Sequence, residues 1–75
     1  MMSCVTFKRL TPRESRIYAD GDHVGGVYRL DDILAPGRVY YVVHLFEDPQ
    51  GPRRVHERSR IRDVAQQLVD SHPFF

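Results

Sequence analysis

Five arginines fall within ten residues: Arg53, Arg54, Arg58, Arg60 and Arg62, opposed in that stretch only by Glu57. Guanidinium groups match phosphate oxygens in a two-pronged geometry. The last three lie where a helix is expected to begin. There the backbone dipole is positive and cations are disfavoured. Folding gains nothing from that placement, so an external anion is one natural counterpart, and helix N-termini themselves attract anions. The competing expectation is a solvated corner in which these arginines pair with Glu57, Asp63, Glu47 or Asp48, each pair contributing little.

A second group of candidates is aromatic. Val39–Phe46 is β-branched or aromatic almost throughout and reads as the strongest strand. Alternation puts Val39, Tyr41, Val43 and Leu45 on one face and Tyr40, Val42, His44 and Phe46 on the other. Tyr28 joins the second set from a neighbouring strand. Exposed rings flanked by arginine can stack nucleic-acid bases. The same row, Tyr28, Tyr40, His44 and Phe46, serves equally as an interface between two protein chains, or as the second half of a wrapped core. Arg29 and Arg38 fit either use.

The remaining reactive side chains are less organised. His23, His44, His56 and His72 lack the spacing of a zinc motif, and the single Cys4 offers no paired-cysteine anchor. His44 and His56 fall on adjacent predicted strands, where they could meet across the sheet. Nothing near Cys4 suggests an activated thiol. Asp20/Asp22 and Asp31/Asp32 sit in predicted turns, where aspartate bonds its own backbone. No catalytic residue, metal site or cofactor is expected.

The 75 residues make one domain, residues 1–75, of the size that is marginally stable alone. An apolar share of 41% argues for a folded globule rather than disorder. A net charge of +1 hides an asymmetry, because residues 53–62 hold five Arg against one Glu while residues 63–75 hold two Asp and no Lys or Arg. A lone cysteine, the lack of a membrane-length apolar run and the lack of a basic-then-apolar N-terminus lead us to expect a cytoplasmic protein.

The elements that must position these residues follow from pattern. Residues 4–10 alternate as a half-exposed strand, and Pro12 starts a turn. Residues 15–19 and 23–30 form a hairpin across Asp20-Gly21, which supplies the positive φ angles of a tight turn. Gly25-Gly26 suggests a bulge or a close backbone approach. Residues 31–37 form a loop expected to tuck Ile33 and Leu34 inward. Asp48-Pro49-Gln50-Gly51 is a reverse turn, and residues 53–57 return as a short strand with Arg54 and His56 opposite Val55. Ser59 reads as an N-cap. Ile61, Val64, Ala65, Leu68 and Val69 then mark an amphipathic helix over 59–71, ended by His72-Pro73 and followed by Phe74-Phe75.

The run from Gly37 to His72 resembles the three-stranded-sheet-plus-helix modules of phage integrase arm-binding and AP2-type DNA-binding domains. The resemblance rests on element order and basic residues and covers about half of the chain. It implies Arg38, Arg53 and Arg54 at DNA, although residues 39–46 carry no basic residue. Ile17–Gly25 is similar to the central hairpin of GNAT acetyltransferases, and Tyr40–Asp48 to the strand before their acyl-CoA loop. The loop itself has no counterpart at Gln50–Val55, where Pro52 removes an amide.

These readings converge on an α+β fold, an antiparallel meander of four to five strands with one C-terminal helix on one face. The expected core is Val5, Phe7, Ile17, Val27, Val39, Tyr41, Val43, Leu45, Ile61, Val64, Leu68 and Val69. The expected role is a non-catalytic binding module, without membrane association. It would bind nucleic acid or another polyanion through Arg38, Arg53, Arg54, Arg58, Arg60 and Arg62. The alternative is a protein-interaction subunit or homodimer.

Overall fold

Antiparallel strands joined by short turns need no crossover, and the chain follows that rule from end to end. A computed structural model describes residues 3–71. Its strands are β1 (Val5–Thr11), β2 (Glu14–Ala19), β3 (Asp22–Asp31), β4 (Val39–Leu45) and β5 (Arg53–Val55), paired in sequence order. A single 3₁₀ turn over Arg58–Arg60 leads into helix α1 (Ile61–Ser71). The fold is α+β as expected, with five strands. The His72-Pro73 stop and Phe74-Phe75 lie outside the described residues.

Turn chemistry sets the register. Asp20 and Gly21 both take positive φ, 51° and 89°, as the β2–β3 turn requires. The Asp20 carboxylate accepts the Cys4 amide at 2.9 Å, and the Asp20 amide donates to the Cys4 carbonyl, so the turn also anchors the start of β1. At the β4–β5 turn, Asp48 accepts the Gln50 amide at 2.9 Å and Gly51 turns with φ 78°.

The β2–β3 register slips between Ile17 and Tyr18, so the Gly25 region is bulged. Gly25 lies between Ile17 and Leu45, and a Cβ there would fall on the His44 carbonyl oxygen. Only glycine lets β3 and β4 approach this closely.

One sheet face packs on α1. Val5, Ile17, Ala19, Val27, Val43, Leu45 and Val55 meet Ala65, Leu68 and Val69, with Phe7, Tyr41, Ile61 and Val64 half-buried at the margin. Val39 is half-buried outside this cluster, while Val24, Ala19, Val55 and Ala65 extend the expected core. Arg62 donates to the Val5 carbonyl and Gln66 to the Ser3 carbonyl, tying the helix to the first strand.

Three local expectations are corrected. Ile33 and Leu34 are 92% and 94% exposed, because a turn within 32–38 is closed by bonds such as Leu34 N–H to the Asp32 carboxylate, which point both side chains outward. Ser59 lies inside the 3₁₀ turn and does not cap the helix; Glu57 precedes the turn without a side-chain bond. His44 and His56 do not meet across the sheet, because the register sets Val42 opposite Arg54 and carries His56 to Tyr40.

Candidate functional site

The two faces of the sheet carry different chemistry, and strand parity decides which residue goes where. On the face away from α1, rings run in continuous contact. Tyr18 and His23 lie 5.4 Å apart, His23 and Phe46 4.9 Å, Phe46 and His44 5.7 Å, and His44 and Tyr28 5.3 Å (centroid distances). The last pair is nearly coplanar, with 7° between the rings.

Gly26 makes that stack possible. It pairs with His44 and has no side chain, and the Tyr28 hydroxyl and ring edge approach to 3.3–3.4 Å of where its Cβ would stand. Tyr28 therefore leans along β3 onto its diagonal neighbour His44. His23 is fixed by its Nε2–H, which donates to the Gly25 carbonyl at 3.0 Å. At the β5 side of this face, the Arg54 guanidinium lies 4.6 Å from the centre of the Tyr40 ring, and His56 lies beside Tyr40. Lys8 and Arg16 pair with each other in register on the same face as Tyr18. The four residues Tyr28, Tyr40, His44 and Phe46 thus share one face, joined by Tyr18, His23 and His56.

The six sequence-predicted arginines are not brought together. Arg53 points to the other side from Arg54 and closes the β4–β5 turn. It donates to the Gly51 carbonyl at 2.7 Å and to Gln50 Oε1 at 2.8 Å, and its guanidinium is 3.4 Å from the buried Asp48 carboxylate. Of the pairings anticipated with Glu57, Asp63, Glu47 or Asp48, this one forms among the described residues. Arg38 is exposed in the turn before β4, and Arg60 is exposed in the 3₁₀ turn.

Arg58 and Arg62 go elsewhere. They join Arg9, Arg13 and Arg29 around a cleft of about 400 Å³ on the helix side, beyond the part of the sheet that α1 covers. Its lining includes Phe7, Val27, Tyr41 and Ile61. Arg9 and Arg13 were missed by reading for sequence clusters. The available signal was parity: Arg9 follows Phe7 by two residues and Arg29 follows Val27 by two, so both share the face of core residues.

Comparison with known protein families, curated proteins and solved structures finds no match to this chain. No helix among the described residues is long and apolar enough to cross a membrane.

Proposed function

We propose that the protein is a non-catalytic module that binds single-stranded nucleic acid across the sheet face opposite α1. The observation that supports this most is the unbroken row Tyr18–His23–Phe46–His44–Tyr28, with Arg54 seated on Tyr40 beside it. Every base has a π-face, so such a row accepts unpaired bases without regard to sequence. Arg54, Arg16 and Lys8 supply positive charge along the same face for the backbone. A groove-reading mode, as the integrase and AP2-type resemblance would imply, fits less well. Arg53 is engaged by the β4–β5 turn, and the face opposite the helix presents rings where groove readers need hydrogen-bonding side chains.

Fluorescence anisotropy with a labelled oligonucleotide tests the reading. Single strands should bind more tightly than the matching duplex, with affinity falling as salt rises. Phe46→Ala should weaken binding about 5- to 150-fold, the range for one lost base–ring stack. Phe46 is 58% exposed, so its removal leaves the core intact. Equal affinity for duplex, or no loss in Phe46→Ala, would overturn the proposal.

A second reading is favoured by the apolar exposure on that face, where Phe46, Leu30 and Tyr28 stand open. A second copy of the chain could cover them. Sedimentation velocity would then give a dimer that Phe46→Arg dissociates; a monomer at high micromolar concentration would exclude it.

A further inference from the structure

The cleft on the helix side has the composition of a ligand site rather than of an unfinished core. Five guanidinium-bearing residues surround it, from four separate segments: Arg9 on β1, Arg13 in the β1–β2 turn, Arg29 on β3, and Arg58 and Arg62 at the start of the helical segment. Glu14 is the one acidic residue along its wall. Arg13 is drawn toward Asp31 at 3.6 Å in an exposed pair, and Arg9 and Arg62 donate to the main-chain carbonyls of Thr11 and Val5. Arg29 and Arg58 have no ion-pair partner among the described residues. Glu14 and Asp31 offset only part of this charge, and the arginines left in excess repel one another until an anion binds.

The floor adds a second requirement. Phe7, Val27, Tyr41 and Ile61 form an apolar base, and the space, about 400 Å³, suits a small organic molecule rather than a bare ion. Arg62 already lies 5.1 Å from the centre of the Phe7 ring, so charge and ring surface are contiguous. We infer that this cleft binds a small phosphorylated molecule with a flat apolar body. The phosphate is held by Arg29 and Arg58, and the body lies on Tyr41 beside the Phe7 ring that Arg62 covers. The cleft and the ring-bearing face lie on opposite sides of the sheet, so this site stands or falls separately from the function proposed above.

Adenosine monophosphate, adenosine and inorganic phosphate are the probes, titrated calorimetrically at constant ionic strength. The nucleotide should bind about tenfold or more tightly than either fragment, since each charge-assisted bond and the buried body contribute. Arg29→Gln with Arg58→Gln should weaken it by about tenfold or more. Both side chains are exposed, so the fold does not depend on them. Amide shifts in the NMR spectrum of the unsubstituted protein should map to Arg9, Arg29, Arg58 and Arg62. Three results would each overturn the inference: nucleotide binding no tighter than phosphate or adenosine, undiminished affinity in the double variant, or shifts confined to Tyr40, Arg54 and their face.

Discussion

Gly25→Ala and Gly26→Ala differ by one position and should differ widely in cost. At Gly25 the new methyl would fall on the His44 carbonyl oxygen, with Leu45 Cα also close. Both obstacles are main chain, so no rotamer change relieves the clash, and β4 must move away from β3. Forced overpacking costs about 1–3 kcal/mol. Weakening one ladder bond adds about 1 kcal/mol. The reduced freedom of the unfolded chain returns about 0.4–1 kcal/mol. The net destabilisation is therefore about 1–3.6 kcal/mol, centred a little above 2. For a chain of this length, total stability is roughly 4–11 kcal/mol, so the loss is a large share. At Gly26 the methyl meets the Tyr28 hydroxyl and ring edge at 3.3–3.4 Å, where a side chain can swing aside, and the Ser15 carbonyl oxygen at 3.4 Å, the near limit of ordinary contact. Strain and the unfolded-state gain then nearly cancel, leaving a change within about 1 kcal/mol. Urea unfolding followed by circular dichroism measures both. If the two variants lie within about 1 kcal/mol of each other, the close β3–β4 approach is not what requires glycine at 25. Gly26→Ala also displaces Tyr28 from His44, so it should weaken oligonucleotide binding while sparing stability, the reverse of an ordinary core lesion.

Asp20→Ala should cost about 1–2 kcal/mol, because it loses the bond to the Cys4 amide and places an alanine at positive φ; thermal unfolding would show it, and an unchanged midpoint would remove the anchoring role. Asp48→Ala should cost about 2–4 kcal/mol, since one carboxylate both accepts the Gln50 amide and faces the Arg53 guanidinium; a urea midpoint shift below about 1 kcal/mol would contradict this. Ile33→Ser with Leu34→Ser should alter stability by no more than about 0.5 kcal/mol, because both side chains are in solvent; a larger loss in the same assay would mean that the loop contributes to the core.

The elements were legible where local chemistry decides them. Asp20-Gly21 announced a tight hairpin because few other pairs accept two positive φ angles. The alternation of residues 39–46 and the i, i+3, i+4 stripe from Ile61 to Val69 located the strand and helix that make the core. The register of the β4–β5 hairpin was not legible. It set His56 against Tyr40 rather than His44, because the connection between β4 and β5 spans residues 46–52 and not the Asp48–Gly51 turn alone. The helix start came late because residues 58–60 adopt a tighter turn without a side-chain cap, which Ser59 alone does not reveal. The arginine cluster was misleading as a spatial statement. Neighbours on a strand point to opposite faces, so Arg53 and Arg54 part company at once, and arginines far apart in sequence gather instead.

The placement of Arg29 bears most directly on whether the cleft is incidental. Helix α1, with 11 residues, is about 16 Å long, whereas β3, with 10, runs about 33 Å. One end of the helix-side face must therefore stay uncovered, and something has to occupy its inward positions. Charged residues pointing inward are a common device for blunting sheet edges against aggregation. That explanation is open to Arg9, because β1 is an edge strand. It does not reach Arg29, because β3 is the central strand of five, with β2 and β4 satisfying both of its sides. Arg29 shares its face with Val27 and Tyr41, yet its side chain is open to solvent, so it can meet a ligand without unburying the core. A cation on a central strand, at the edge of an apolar floor and without an ion-pair partner among the described residues, is therefore the position at which the inferred phosphate contact is tested most cleanly.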